Sequence, residues 1–188
     1  MTPPDFPADG IVTERVRLST ASRADAEALL AFQIENRAHL HPWEPLRADE
    51  FFTLPAAEQR LAVMEQQMTH GSALHLLLRG RLTGTVLGEC NFTNIVRGPF
   101  QACFLGFSIG GRYEGRGLMH EALSAAIDHV FSQYRLHRIM ANHRPENLRS
   151  GKLLTKLGFE REGLARAYLK INGEWADHVL TSRINPRD

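Results

Sequence analysis

The chain of 188 residues carries only two cysteines, Cys90 and Cys103. Neither lies in a CxxC or Cys/His ligand pattern, so a disulfide framework and a structural zinc site are both excluded as organising devices. Charge of one sign is also missing. With a formal net charge of +1, nothing pulls the whole molecule toward nucleic acid or a membrane surface. No apolar stretch approaches the roughly 20 residues that span a bilayer. The start, residues 1–10, holds prolines and acids where a signal peptide would need a basic and then an apolar segment. Internal repeats and low-complexity linkers are absent too. What remains is a cytoplasmic globular protein of one domain, expected over residues 11–184, with a flexible leader at 1–10 and a flexible tail at 185–188.

Hydrophobic periodicity divides this domain into elements. Val12 to Leu18 alternates as a strand does. Ser22 reads as an N-cap before Ala26, Leu29, Leu30 and Ile34 at helical spacing. Asn36 to Arg47, with Pro42 and Pro45, reads as a loop, and a second helix is expected over Ala56 to Thr69. Strands follow at Leu74–Leu78, Thr85–Phe92 and Cys103–Ile109. Leu118 to Tyr134 has the strongest helical pattern, Arg138–Asn142 reads as a strand, and Asn147–Leu157 as a helix capped by Asn147 and ended by Gly158. A hairpin closes the chain through Asn172-Gly173. This order implies an α/β (α+β) domain, a mixed sheet with helices on both faces.

The most informative segment runs from Phe107 to Leu118. A strand enters a turn with Gly115 and Gly117, and the turn opens a strong helix. Amides converging there, with the positive end of the helix, suit a phosphate or pyrophosphate. Arg112 and Arg116 add charged donors. A Walker loop is excluded because Arg116-Gly117 stands where Lys and Ser/Thr are needed. A dinucleotide fingerprint is excluded because His120 occupies the place of its third glycine.

Arg112-x-x-Gly115-x-Gly117 resembles the cofactor signature of the GNAT acetyltransferase superfamily, and Asn147-x-x-Ser150-x-x-Leu153 with Gly158-Phe159 resembles its second motif. Further segments, His41-Pro42-Trp43-Glu44-Pro45 and Asp177-His178-Val179-Leu180-Thr181 among them, resemble the ribosomal-protein-alanine N-acetyltransferases of the RimJ type. The resemblance implies a largely antiparallel sheet splayed between its fourth and fifth strands, here Cys103–Ile109 and Arg138–Asn142. Acetyl-CoA is the implied cosubstrate. Its pantetheine arm would pair near Phe107 and Ile109, and its pyrophosphate would rest on the amides of Arg112, Tyr113, Gly115, Arg116, Gly117 and Leu118.

Transfer is implied to go by direct attack of a primary amine, with no acyl-enzyme and no metal. An amide near Ser108 would serve the oxyanion. The tyrosine that many members place one residue after Leu153 is replaced by Leu154, so Ser150 becomes the candidate acid toward the leaving thiolate, and Asn147 a cofactor contact. Glu44 is the candidate base, with Glu89, His39, His41 and His178 as alternatives, and Trp43 a packing anchor of the acceptor pocket. The implied acceptor is the N-terminal amine of a protein beginning with Ala, possibly ribosomal. A small-molecule amine and a non-catalytic acetyl-CoA-binding module are the other readings. No nucleic-acid or membrane partner is implied.

Overall fold

The computed structural model describes Pro4 and residues 6–187. Eight strands form one sheet in the order β1-β2-β3-β4-β5-β6-β8-β7. They are β1 Ile11–Val12, β2 Val16–Thr20, β3 Leu74–Gly80, β4 Val86–Val96, β5 Ala102–Ile109, β6 Arg138–His143, β7 Glu160–Ile171 and β8 Glu174–Ile184. Every neighbouring pair is antiparallel except β5 and β6. That parallel pair matches only Ala102↔Arg138, Cys103↔Ile139 and Phe104↔Met140. Beyond Phe104 the two strands part, and the expected splay lies there.

Helices α1 Ala26–Leu40 and α2 Leu54–Thr69 cover one face, and α3 Leu118–His129 and α4 Leu148–Lys156 the other. The alternation of β3 shows why both layers are needed. Leu74, Leu76 and Leu78 pack with Met119, Leu123 and Ile127 of α3, while Leu77 packs with Leu29, Phe32 and Leu61 of α1 and α2. A strand buried on both faces reads as an unbroken apolar run. Each such leucine contributes on the order of 1.5–3 kcal/mol through burial.

Several boundaries depart from the sequence reading. The strand expected over Val12 to Leu18 is folded back at Thr13, whose amide donates to Val16 O at 2.9 Å, so it forms two short strands. α1 runs through Asn36 to Leu40, four to five residues into the expected loop. Proline disfavours helix in the residue before it, and the first proline here is Pro42. The third helix changes to a π turn over Val130–Tyr134 and ends on Arg135 in the left-handed region. The expected loose tail is tied at its first residue: Asn185 is buried, and its Nδ2 donates to Leu136 O at 3.1 Å. In the leader, Phe6 packs edge-on against His129 and Gly10 N donates to Pro7 O, so this part is anchored as well. Residues 1–3, Asp5 and Asp188 lie outside the described residues.

Candidate active site

The phosphate-binding turn is built from β5, a short 3₁₀ turn over Gly111–Tyr113, and the start of α3. Gly117 is the N-cap of α3, at φ +75°, and no side chain caps the helix. The first helical amide with a backbone partner is that of Glu121, which donates to Gly117 O at 3.0 Å. The amides of Leu118, Met119 and His120 therefore have no intrahelical acceptor and point out of the helix start. Gly115 lies at φ +71°, and a Cβ there would meet nothing within 4 Å. At Gly117 the nearest atom would be Arg15 Nη2, at 3.5 Å. Both glycines are thus required by backbone angle rather than by lack of room. Tyr113 N donates to Gly110 O, so its amide is used inside the turn and is not free for a ligand as expected; its ring packs against the core.

Two side chains from distant elements brace the turn. Asn36 of α1 is buried and accepts the amide of Gly111 on its Oδ1 at 3.0 Å. Arg15 donates to Arg116 O at 2.8 Å and pairs with Glu121 at 2.7 Å. Of the predicted cations, Arg112 is half-exposed and pairs with Glu35 at 3.2 Å, and Arg116 is exposed. Glu114 pairs with His39 of α1 at 3.3 Å and with Arg149 of α4, so α4 faces the turn across the splay.

The free edge of β5 lies along that splay. Gly110 N donates to Leu87 O on β4, and Gln101 O accepts from His137 N on the β6 side. Strand alternation then turns the amides of Phe107 and Ile109 toward the gap and that of Ser108 toward β4. The expected pairing positions near Phe107 and Ile109 are open, and the amide near Ser108 expected for the oxyanion is one of these neighbours and not Ser108 N itself. Across the gap, Asn147 caps α4 by accepting Ser150 N on Oδ1 at 3.1 Å, leaving its NH₂ group for another partner. Ser150 Oγ is half-buried, with no bond among the described residues. Leu154 is 1% exposed and packs in the core. His143, at the end of β6, was not legible in the sequence: its ring lies over Gly151, where a Cβ would come within 3.0 Å. Nδ1 donates to Arg144 O at 2.9 Å, which leaves Nε2 as the acceptor of the neutral ring.

The candidate acceptor pocket carries mixed charge, with Arg37 and Arg47 beside Glu44. It is lined by Gln33, Leu40, His41, Glu44, Arg47 and Phe51, among others. Glu44 is held by the closing hairpin, where Asn172 N donates to its carbonyl at 2.9 Å. Burial pushes the Glu44 carboxyl above the usual range, against the lowering effect of Arg47. Glu89 of β4 stands opposite Ser108 in the sheet and near enough to Glu44 to feel its charge. Burial, then the charge of Glu44, raise its pKa; donors on Asn91 and Gln33 and the charge of Arg60 oppose the rise. Glu44 thus acts on Glu89 through its charge.

The histidines proposed beside them are dispersed. His39 lies under the phosphate turn, His41 is exposed on the pocket rim, and His178 is buried with Nδ1 on Ala176 O. Trp43 is 39% exposed and does not line this pocket, whereas the buried Leu40 does. Cys90 and Cys103 are buried, and desolvation pushes both thiols up to about 12, which leaves no thiolate for acyl transfer. Among the described residues no His/Cys/Asp/Glu group is arranged to hold a metal, and no helix is long and apolar enough to cross a membrane.

The family described as an acetyltransferase (GNAT) domain matches residues 15–160. The ribosomal protein uS5-alanine N-acetyltransferase of Escherichia coli (strain K12) is 45% identical over 183 residues, covering 97% of this chain and 94% of that one. The probable N-acetyltransferase YjcK of Bacillus subtilis (strain 168) is 34% identical over 164 residues, covering 87% and 91%. Among solved structures, the ribosomal-protein-S5-alanine acetyltransferase of Vibrio fischeri superposes with a TM-score of 0.89 at 38% identity, over 94% of this chain and 96% of that one. Mycobacterium smegmatis RimJ, solved in complex with CoA-disulfide, superposes at 0.87 with 27% identity, over 99% and 88%.

Proposed function

The chain belongs to the GNAT acetyltransferases, enzymes that use acetyl-CoA to acetylate amines, and from that premise we propose that its acceptor is the N-terminal α-amine of a protein beginning with Ala, a ribosomal protein in the first instance. The observation that carries the acceptor is the 45% identity, over 97% of the chain, to an enzyme that acetylates the alanine of a ribosomal protein.

The residues present fit the cosubstrate. Unpartnered amides at Gly115 to His120 and two left-handed glycines offer a cradle for a diphosphate, and the open edge at Phe107 and Ile109 offers strand-like partners for an amide-bearing arm. When bound, acetyl-CoA supplies an activated thioester carbonyl. The chain's own residues then have two tasks. Glu44 and Glu89 take the proton that the amine loses as its nitrogen bonds to the carbonyl carbon. Ser150 Oγ, with no hydrogen-bond partner among the described residues, turns its proton toward the sulfur as the C–S bond breaks, while Asn147 NH₂ holds the arm beside it.

An α-amine suits this arrangement. Its pKa is about 7.7–8.0, against about 10.4 for lysine, so near neutrality a carboxylate pair needs to remove far less proton affinity. A peptide offering an N-terminal Ala and an internal Lys, analysed by mass spectrometry, tests the reading. The expected preference for the α-amine is at least ~30-fold in kcat/KM, roughly 2 kcal/mol. Predominant lysine modification, or turnover of small amines alone, overturns it.

A further inference from the structure

Glu89 sits at the end of a chain of side chains that no charge explains. His75 on β3 stands directly opposite Asn91 on β4 in the sheet register, and both face α1 and α2. His75 is 5% exposed. Its Nδ1 lies 2.8 Å from Asn91 Oδ1, and its Nε2 lies 2.8 Å from Gln67 Oε1 of α2. Asn91 lies two residues from Glu89 on the same face of β4, and its side chain acts to lower the Glu89 pKa. A line of polar side chains thus runs from the exposed Gln67, through a buried ring, toward a carboxylate of the candidate site.

We propose that His75, acting through Asn91, is a positioning residue for Glu89: the ring decides which end of the Asn91 amide meets the carboxylate. An amide has a donor end and an acceptor end. With its proton on Nδ1, His75 donates to Asn91 Oδ1, and the NH₂ group must then face Glu89. Turned over, Asn91 would set a carbonyl oxygen against a carboxylate, a repulsive contact in a poorly solvated site. Burial holds His75 below its ordinary pKa, so near neutrality the ring carries one proton. Nε2 is then an acceptor, so the exposed Gln67 amide, whose Oε1 lies 2.8 Å away, turns over to present its NH₂. Glu89 is faced by Glu44 from the loop after α1, Gln33 from α1 and Arg60 from α2. Of these, Glu44 disfavours its ionised form, and the donor from Asn91 works against that.

The inference rests on the reading that Glu89 helps take the amine's proton, but it is testable without any acceptor. In full-length protein labelled with ¹³C at glutamate carboxyls, the Glu89 signal is identified by its loss in Glu89→Gln. Its titration midpoint is expected to rise by at least about 0.5 pH unit in His75→Phe and in Asn91→Ala, where the donor is freed or removed. It should return most of the way to the native value in His75→Gln, which keeps a donor toward Asn91. An unchanged midpoint in folded His75→Phe overturns the proposal, and so does a rise confined to Asn91→Ala. If His75→Phe does not fold, His75→Gln with a native midpoint set against Asn91→Ala with a raised one supports it, and equal midpoints sink it. The acidic limb of kcat/KM on an Ala-first peptide should move with the midpoint. If Glu89→Gln leaves that limb in place, the proton-accepting role fails, while the carboxyl titration still answers for His75.

Discussion

At the residue scale, two positions separate geometry from chemistry. Gly117 is needed for its left-handed backbone, and a β-branched residue there is strained by about 1–2 kcal/mol before any ligand arrives. Gly117→Val is therefore expected to weaken acetyl-CoA binding at least ~10-fold, or roughly 1.4 kcal/mol, in calorimetry of the folded variant. Affinity equal to the parent's would refute the diphosphate placement. Ser150 tests the leaving group. Its hydroxyl has no hydrogen-bond partner among the described residues, so its removal costs the fold little, and Ser150→Ala should lower kcat about 10²-fold with KM for acetyl-CoA nearly constant. A kcat within about threefold of native would show that the thiolate obtains its proton elsewhere.

At the element scale, the notable feature is that α1 serves both halves of the site. Its Asn36 holds the amide of Gly111, and its Gln33 acts to lower the Glu89 pKa. A Cβ on Gly110 would lie 3.0 Å from Asn36 Oδ1, so the helix presses directly on the turn. Asn36→Ala leaves that amide without its acceptor and is expected to cost about 1–3 kcal/mol of stability. Acetyl-CoA affinity should fall with it, although Asn36 is placed beneath the turn, not against the ligand. Thermal unfolding and titration of the same variant check both; full affinity with lowered stability would reduce Asn36 to a packing role. None of this could be read from the chain. Pro42 and Pro45 announced a loop, but where α1 stops was decided by Asn36 and Leu40 finding buried places against elements far along the sequence. The turn at Asn172-Gly173 was legible because both residues take positive φ, at 47° and 85°, a purely local demand.

At the scale of the whole molecule, a raised carboxyl is coupled to folding itself. Burial and Glu44 raise the Glu89 pKa in the folded state, so the fold favours its protonated form. The stability from that preference is fully present below the ordinary carboxylate range and is lost as pH rises through the raised folded-state value. Glu89→Gln removes the loss. Its melting temperature should exceed the native one at about pH 7, and the gap should close toward about pH 4. A gap that persists at acid pH would mean that the gain comes from packing and not from ionisation.

By itself the sequence determined most of the elements and the glycine-bearing turn that opens α3. Alternation, helical spacing, Gly115 and Gly117, and the cap at Asn147 all act within a few residues of where they stand, so their physics is visible in one dimension. The tertiary structure alone decided the acceptor end. Strand pairing turns the Ser108 amide toward β4, and the Tyr113 amide is bonded to Gly110. Glu44, Glu89, Asn91 and His75 come from a loop and two paired strands, and α2 adds Gln67. Their mutual effects depend on desolvation and on register between segments, which arise only once the sheet has formed and its helical layers have closed over it.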